Sequence, residues 1–227
     1  MSLNDKLLKA AAVDSGITPS EHFGVMLYEG DGSSGHSING GKFGAGAYFN
    51  NSNSSITLSN ASSLFGTPAG QTISLWANFK SVTASSWNST ILVASNNGDP
   101  SWQITLFNGK LFGSYFISSS LYRQVRGSTS ISTNTWYHFV IVFDSSDSNI
   151  VKLYVNGQAE TLTIQGSAGT FTNNYISNPD NATTIGFRQR DGGSWYMDGK
   201  IDQVRFFTKA LSSSEVSTLY AETAATV

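Results

Sequence analysis

WYMDGKIDQVRFFTKALSSSEVSTLY, Trp195 to Tyr220, carries start and stop signals for a strand, a turn and a helix in succession. From Ile201 to Phe207 a period of two places Val204 and Phe206 on one face with Asp202, and Ile201, Gln203, Arg205 and Phe207 on the other. This predicts a strand with one carboxylate at the head of an apolar face. Ser212 and Glu215, three positions apart, make a capping box, and Leu211 ahead of the cap can staple onto Val216. A short helix follows. Its narrow apolar stripe, Val216, Leu219 and Tyr220, predicts that it covers the edge or open end of a sheet.

The chain upstream reads as strands. TWYHFVIVFD, Thr135 to Asp144, puts Trp136, His138, Val140 and Val142 on one face and Tyr137, Phe139, Ile141 and Phe143 on the other, so both faces are covered and the strand is central. Asn108-Gly109 joins WQITLF to KLFGSYF, and Asn156-Gly157 joins VKLYV to QAETLTI. Asn-Gly supplies the two positive φ angles of a tight hairpin turn. ISLWANF, Ile73 to Phe79, alternates strictly and makes Trp76 a packed sheet residue. Phe23 to Tyr28, Ser55 to Leu58, Thr90 to Ala94 and Thr183 to Phe187 read as shorter strands, and Gly166 to Asn181 as a long loop. Residues 1–16 stand apart: Leu3, Leu7, Leu8 and Ala11 share one side of a short helix closed by Asp14, Ser15 and Gly16. That segment either folds back as an ordinary terminus or anchors a partner subunit and supports a homo-oligomer.

A chain of 227 residues suits one sandwich with a full core. Charged residues are 12% of the whole and the net charge is −2, which removes the electrostatic footprint of a nucleic-acid partner. The absence of cysteine removes disulfides and thiolate chemistry. No apolar run reaches the length of a membrane span, and Asp5, Lys6, Lys9 and Asp14 interrupt any signal-peptide core.

The opening stretch resembles the C-terminal signature of laminin-G-like, concanavalin-A-like jelly rolls, a G-x-I-D-x-V-R strand followed by A-L-S and a short helix. The matching positions are Gly199, Ile201, Asp202, Val204, Arg205, Ala210, Leu211, Ser212 and Glu215. Gly40 to Asn50 resembles the family's glycine-bent element, with Phe43 and Phe49 entering the core. Val151, Leu153, Tyr154, Asn156 and Gly157 resemble its hairpin. The resemblance implies an all-β, two-sheet antiparallel sandwich spanning residues 17–227, preceded by the 1–16 helical segment and ending in a short helix. It also implies one structural calcium held by Asp202 with Glu29 or Asp31. The alternative for Asp202 is to accept backbone N–H bonds or pair with Lys or Arg, since a carboxylate on an apolar face needs donors or a cation.

Three kinds of chemistry compete. A glycosidase needs two carboxylates across the scissile bond. The five glutamates, Glu21, Glu29, Glu160, Glu215 and Glu222, form no E-x-D-x-E run, so hydrolysis ranks last. His138 has no nucleophile or orienting acid beside it in sequence and reads as a sheet histidine. A recognition surface needs aromatic faces for sugar rings and polar groups for hydroxyls. Trp87, Trp102, Tyr122, Tyr175, Arg188, Arg190 and Trp195, in or beside expected loops, are the candidates, each also readable as a half-buried rim residue. The expected role is a non-catalytic accessory domain on the exterior of a phage-like virion, binding host-surface carbohydrate or neighbouring virion subunits. The alternative is a secreted or cell-surface carbohydrate-binding module. Both place the domain outside cells.

Overall fold

The computed structural model describes residues 40–43, 46–52, 54–58, 69–82, 91–95, 101–171, 183–190 and 193–222. The expected 1–16 helix, with its anchoring role, and the strand Phe23 to Tyr28 lie outside these residues. Two antiparallel sheets face one another. The first holds six strands in the order β1 (Ala47–Asn50), β15 (Asp198–Phe207), β3 (Gly70–Phe79), β8 (Trp136–Asp144), β9 (Val151–Val155) and β10 (Gln158–Ala159). The second holds seven, in the order β11 (Thr163–Ala168), β7 (Leu121–Ser130), β6 (Lys110–Ser118), β5 (Ser101–Phe107), β4 (Ile91–Ser95), β12 (Thr183–Ile185) and β2 (Ile56–Leu58). A separate hairpin pairs β13 (Phe187–Arg190) with β14 (Gly193–Tyr196), and one helix, α1 (Ser213–Tyr220), follows β15. This is the expected two-sheet sandwich with a C-terminal helix. Among the described residues no helix is long and apolar enough to cross a membrane.

Alternation decides which side chains meet between the sheets. Ile73, Leu75, Ala77 and Phe79 of β3 and Phe139, Ile141 and Phe143 of β8 pack against Trp102, Ile104 and Leu106 of β5 and Leu111 and Tyr115 of β6. Each such large side chain withdrawn from water contributes about 1.5–3 kcal/mol, which fixes the pairing register, because a slip by one residue would turn every one of them to solvent. The two Asn-Gly turns adopt the left-handed backbone that the sequence called for, with φ of 50° and 67° at Asn108 and Gly109 and 49° and 76° at Asn156 and Gly157. Gly186, φ 74°, bends the chain from β12 into β13, and a Cβ there would strike the ring of Phe49, which is fully buried. Phe43 departs from expectation. It is half-buried and stands edge-on to Trp76, at 5.6 Å and 87°, outside the main core.

The decisive strand holds a surprise. Asp202 pairs with Trp76 and Arg205 with Ser74, so Gln203 and Val204 together oppose the single residue Leu75: a β-bulge, with φ 51° at Gln203. The bulge resets the alternation. Ile201, Val204 and Phe206 all enter the main core, whereas Phe207 joins a second apolar cluster on the other side of the sheet. The simple period of two had grouped Asp202 with Val204 and Phe206, and that grouping is corrected. Beyond the strand, Ser212 Oγ accepts from Glu215 N at 3.3 Å and Glu215 Oε2 accepts from Ser212 N at 2.7 Å, completing the capping box. Val216 and Leu219 pack with Leu211, Val140, Val142, Tyr154 and Phe207. The helix therefore covers the outer face of the six-stranded sheet rather than an edge or end.

Candidate recognition surface

Each sheet has an outer face, and the two are built differently. On the six-stranded sheet several polar groups beneath α1 pair with one another, and among the described residues His138 Nδ1 is buried without a hydrogen-bond partner. Ser74 Oγ and His138 Nε2 lie 2.8 Å apart, and the imidazole meets Trp76 and Tyr220 at centroid distances of 5.2 and 6.0 Å, those two rings stacking on each other at 5.7 Å. Burial, with help from the nearby Arg205 charge, pushes His138 down to about 3, so the ring is neutral. Arg205 pairs with Glu222 at 2.7 Å and donates to Gln203 Oε1 at 3.0 Å. Burial raises Glu222 above the usual carboxylate range against the pull of Arg205.

Asp202 accepts from Lys42 N at 2.8 Å and Phe43 N at 3.0 Å through Oδ2, and from Gln203 N at 2.8 Å through Oδ1. Burial raises its carboxyl, and these three N–H donors work against that shift. The hydrogen-bonded alternative for Asp202 is thus fully equipped. Its expected calcium partners, Glu29 and Asp31, lie outside the described residues, and among the described residues no group of three or more His, Cys, Asp or Glu side chains comes together. Four other described carboxylates have structural tasks: Asp144 and Asp147 hold Lys152, Glu160 accepts from Ser128 and Thr129, and Glu215 caps α1 while holding Lys209.

On the seven-stranded sheet the outer face carries rows of polar and aromatic side chains. Gln103, Ser114 and Gln124 stand side by side across β5, β6 and β7 by direct pairing. Two residues along one direction, Phe116 and Tyr122 stack with centroids 4.6 Å apart and planes at 8°. Two residues the other way, Phe112 pairs with Arg126, whose guanidinium lies 5.8 Å from the Phe107 ring centroid. This face is graded. Towards β5 it is closed, with Gln103 and Ser114 buried and Arg188 of β13 donating to Gln103 Oε1 from the β13–β14 hairpin. Towards β7 it opens, and Phe116, Tyr122, Gln124 and Arg126 are half-buried.

The expected ligand residues divide accordingly. Tyr122 lies on the open part of this face, on a strand rather than in a loop. Arg188, 4% exposed, reaches the same face from below the hairpin and positions Gln103. Trp195 pairs directly with Arg188 and is half-buried, and Arg190 pairs with Gly193 at the hairpin's far end. Trp102 is corrected: at 1% exposure it packs between the sheets against Phe143, at 6.3 Å, and cannot offer a ring face to a ligand. Trp87 and Tyr175 lie outside the described residues. Sequence reasoning missed β7 and with it Phe116, Ser114, Gln124 and the Gln103 amide. The turn into β7, Ser119-Ser120, lacks Gly or Asn, and LYRQVRGSTS has no apolar alternation. The available signal was the short polar turn between two aromatic residues, Phe116 and Tyr122.

A family model described as the concanavalin A-like lectin/glucanases superfamily matches residues 50–217, and the chain belongs to this family. Among solved structures it is similar to the CBM40 domain of the Ruminococcus gnavus IT-sialidase bound to α2,3-sialyllactose. The identity is 15% and the TM-score 0.58, over 78% of this chain and 96% of that one. It is also similar to domain 4 of an extracellular arabinanase from Geobacillus stearothermophilus in complex with arabinotriose, at 23% identity and TM-score 0.54, over 79% and 78%. A SAP-like pentraxin from Limulus polyphemus gives 16% identity and TM-score 0.53, over 77% and 80%. At these identities the likeness is one of fold. No curated protein sequence matches the chain.

Proposed function

We propose that this chain is a non-catalytic carbohydrate-binding domain acting outside cells, and that the outer face of the seven-stranded sheet is where the sugar binds. The observation that carries the reading is the Gln103–Ser114–Gln124 row beside the stacked Phe116–Tyr122 pair. The Gln124 amide lies next to an aromatic surface on the half-open side of a rigid sheet, and Ser114 and Gln103 continue the row into its closed part. Sugar rings present apolar faces and hydroxyl edges, and this pairing of side chains complements both. Two structures with the same fold carry oligosaccharides, α2,3-sialyllactose and arabinotriose, which favours carbohydrate over virion subunits as the partner. The employment of most of the described carboxylates in caps, ion pairs and backbone hydrogen bonds favours binding over hydrolysis.

A glycan array probed with the intact chain tests this reading. The expected result is binding to at least one oligosaccharide that is lost in both Tyr122→Ala and Gln124→Ala. Binding that survives both changes, or binding to no glycan, would remove the reading, and release of cleaved products would replace it with an enzyme.

A further inference from the structure

Among the described residues the charge on the proposed binding face is one-sided. Arg126 is half-buried on β7 with its guanidinium over Phe107, and its Nε is enclosed without a hydrogen-bond acceptor. On the same side of the sheet Lys110 Nζ donates to the Ser128 carbonyl, a neutral acceptor that leaves its charge uncompensated. Glu160 packs over Gly127, the residue after Arg126 and so on the opposite side of the strand, and is held by Ser128 and Thr129. Ion pairs among the described residues join Lys152 to Asp144 and Asp147, Arg205 to Glu222, and Lys209 to Glu215. All use side chains outside the strands of the seven-stranded sheet. The face thus offers a fork of N–H donors on an aromatic floor beside the Gln124 side chain, and among the described residues no carboxylate shares it.

We infer that the ligand carries a carboxylate: an acidic oligosaccharide whose acid group is gripped by Arg126 while its ring and hydroxyls meet Tyr122 and Gln124. This rests on the recognition surface proposed above and narrows its ligand class. A guanidinium presents parallel N–H bonds matched to a carboxylate, and such charge-assisted pairs are about twice as strong as neutral ones.

The test is calorimetry with the intact chain and two matched probe pairs: trigalacturonate against its methyl ester, and α2,3-sialyllactose against lactose. The expected result is that at least one acid binds about tenfold or more tightly than its neutral partner. That preference should weaken as salt is raised, collapse in Arg126→Gln and survive in part in Arg126→Lys. Each variant's near-ultraviolet circular dichroism should match the parent, because Arg126 lies outside the core. Equal binding of acid and neutral probes, an unchanged preference in Arg126→Gln, or failure of both acids to bind would overturn the inference. A neutral probe bound through Tyr122 and Gln124 regardless of Arg126 would leave the recognition surface standing while removing its acid specificity. Loss of all binding removes both.

Discussion

The two outer faces of this sandwich are made from the same kind of pleated sheet and end in opposite states. On the six-stranded sheet, α1 lays Val216 and Leu219 over Val140, Val142 and Phe207, and most polar side chains near it find partners within the chain, His138 Nδ1 excepted. Ser74 meets His138, Arg205 meets Glu222, and Asp202 meets three backbone N–H groups. On the seven-stranded sheet, no described helix covers the face, and Tyr122, Gln124 and Arg126 remain half-buried. A face whose polar groups are paired internally contributes to stability. The half-buried Gln124 amide and Arg126 cation leave the other face available for a partner, in keeping with the proposal that stability belongs to one side and recognition to the other.

The largest break in that division should come from Arg205→Ala. It leaves Glu222 in a nearly enclosed site without its cation, at a cost of about 3–5 kcal/mol by chemical denaturation. Glycan binding by the surviving folded fraction should be unchanged. A loss below about 1 kcal/mol would show that the pair is solvent-screened and that α1 is docked by its apolar stripe alone.

Acid should act next, and through the same face. His138 stays neutral down to about 3 in the folded chain but protonates near its ordinary 6.5 when unfolded. The unfolded state therefore binds the extra proton throughout that window, and stability falls as pH drops from 6.5 towards 3. Glu222 and Asp202, raised by burial, act in the opposite sense, losing stability as pH rises through their raised values. Melting temperature followed from pH 6.5 downwards should decline, with a shallower decline in His138→Asn. Identical slopes would mean that the imidazole gains a proton without leaving its site.

On the other side, Tyr122→Ala and Gln124→Ala should each shift stability by no more than about 1 kcal/mol, since neither side chain belongs to the core. They should nevertheless abolish glycan binding. Loss of more than about 3 kcal/mol would mark the Phe116–Tyr122 stack as structural and erase the contrast between the faces. The smallest effect expected is from a chelator. Because Asp202 already accepts three N–H bonds, EDTA should move the melting temperature by less than about 1 °C. A fall of several degrees would place calcium at Asp202 with Glu29 or Asp31.

What was legible in the sequence follows from which interactions are local. The Asn-Gly turns and the Ser212–Glu215 box are written in adjacent residues, and they appear where the spacing put them. Strand β8 was legible because both its faces are covered by apolar or aromatic groups. The bulge at Gln203 was not, since a strict period of two assumes an unbroken pleat. Yet the I-D-x-V-R spacing contains it: Ile201 and Val204 are three apart and both face inward. Trp102 was misplaced although its alternation with Ile104 and Leu106 marks it as core. The recognition face was the least legible part, because Gln103, Ser114 and Gln124 come from three strands and are joined only by register.

The division of labour between the faces is tested most directly by amide and side-chain NMR shifts of the isotopically labelled chain, titrated with whichever array oligosaccharide binds most tightly. The account predicts the largest changes at Tyr122, Gln124 and Arg126, with Trp76, His138 and the amides of α1 unmoved. Changes centred on Trp76 and Tyr220 instead would contradict it and transfer recognition to the helix-covered sheet.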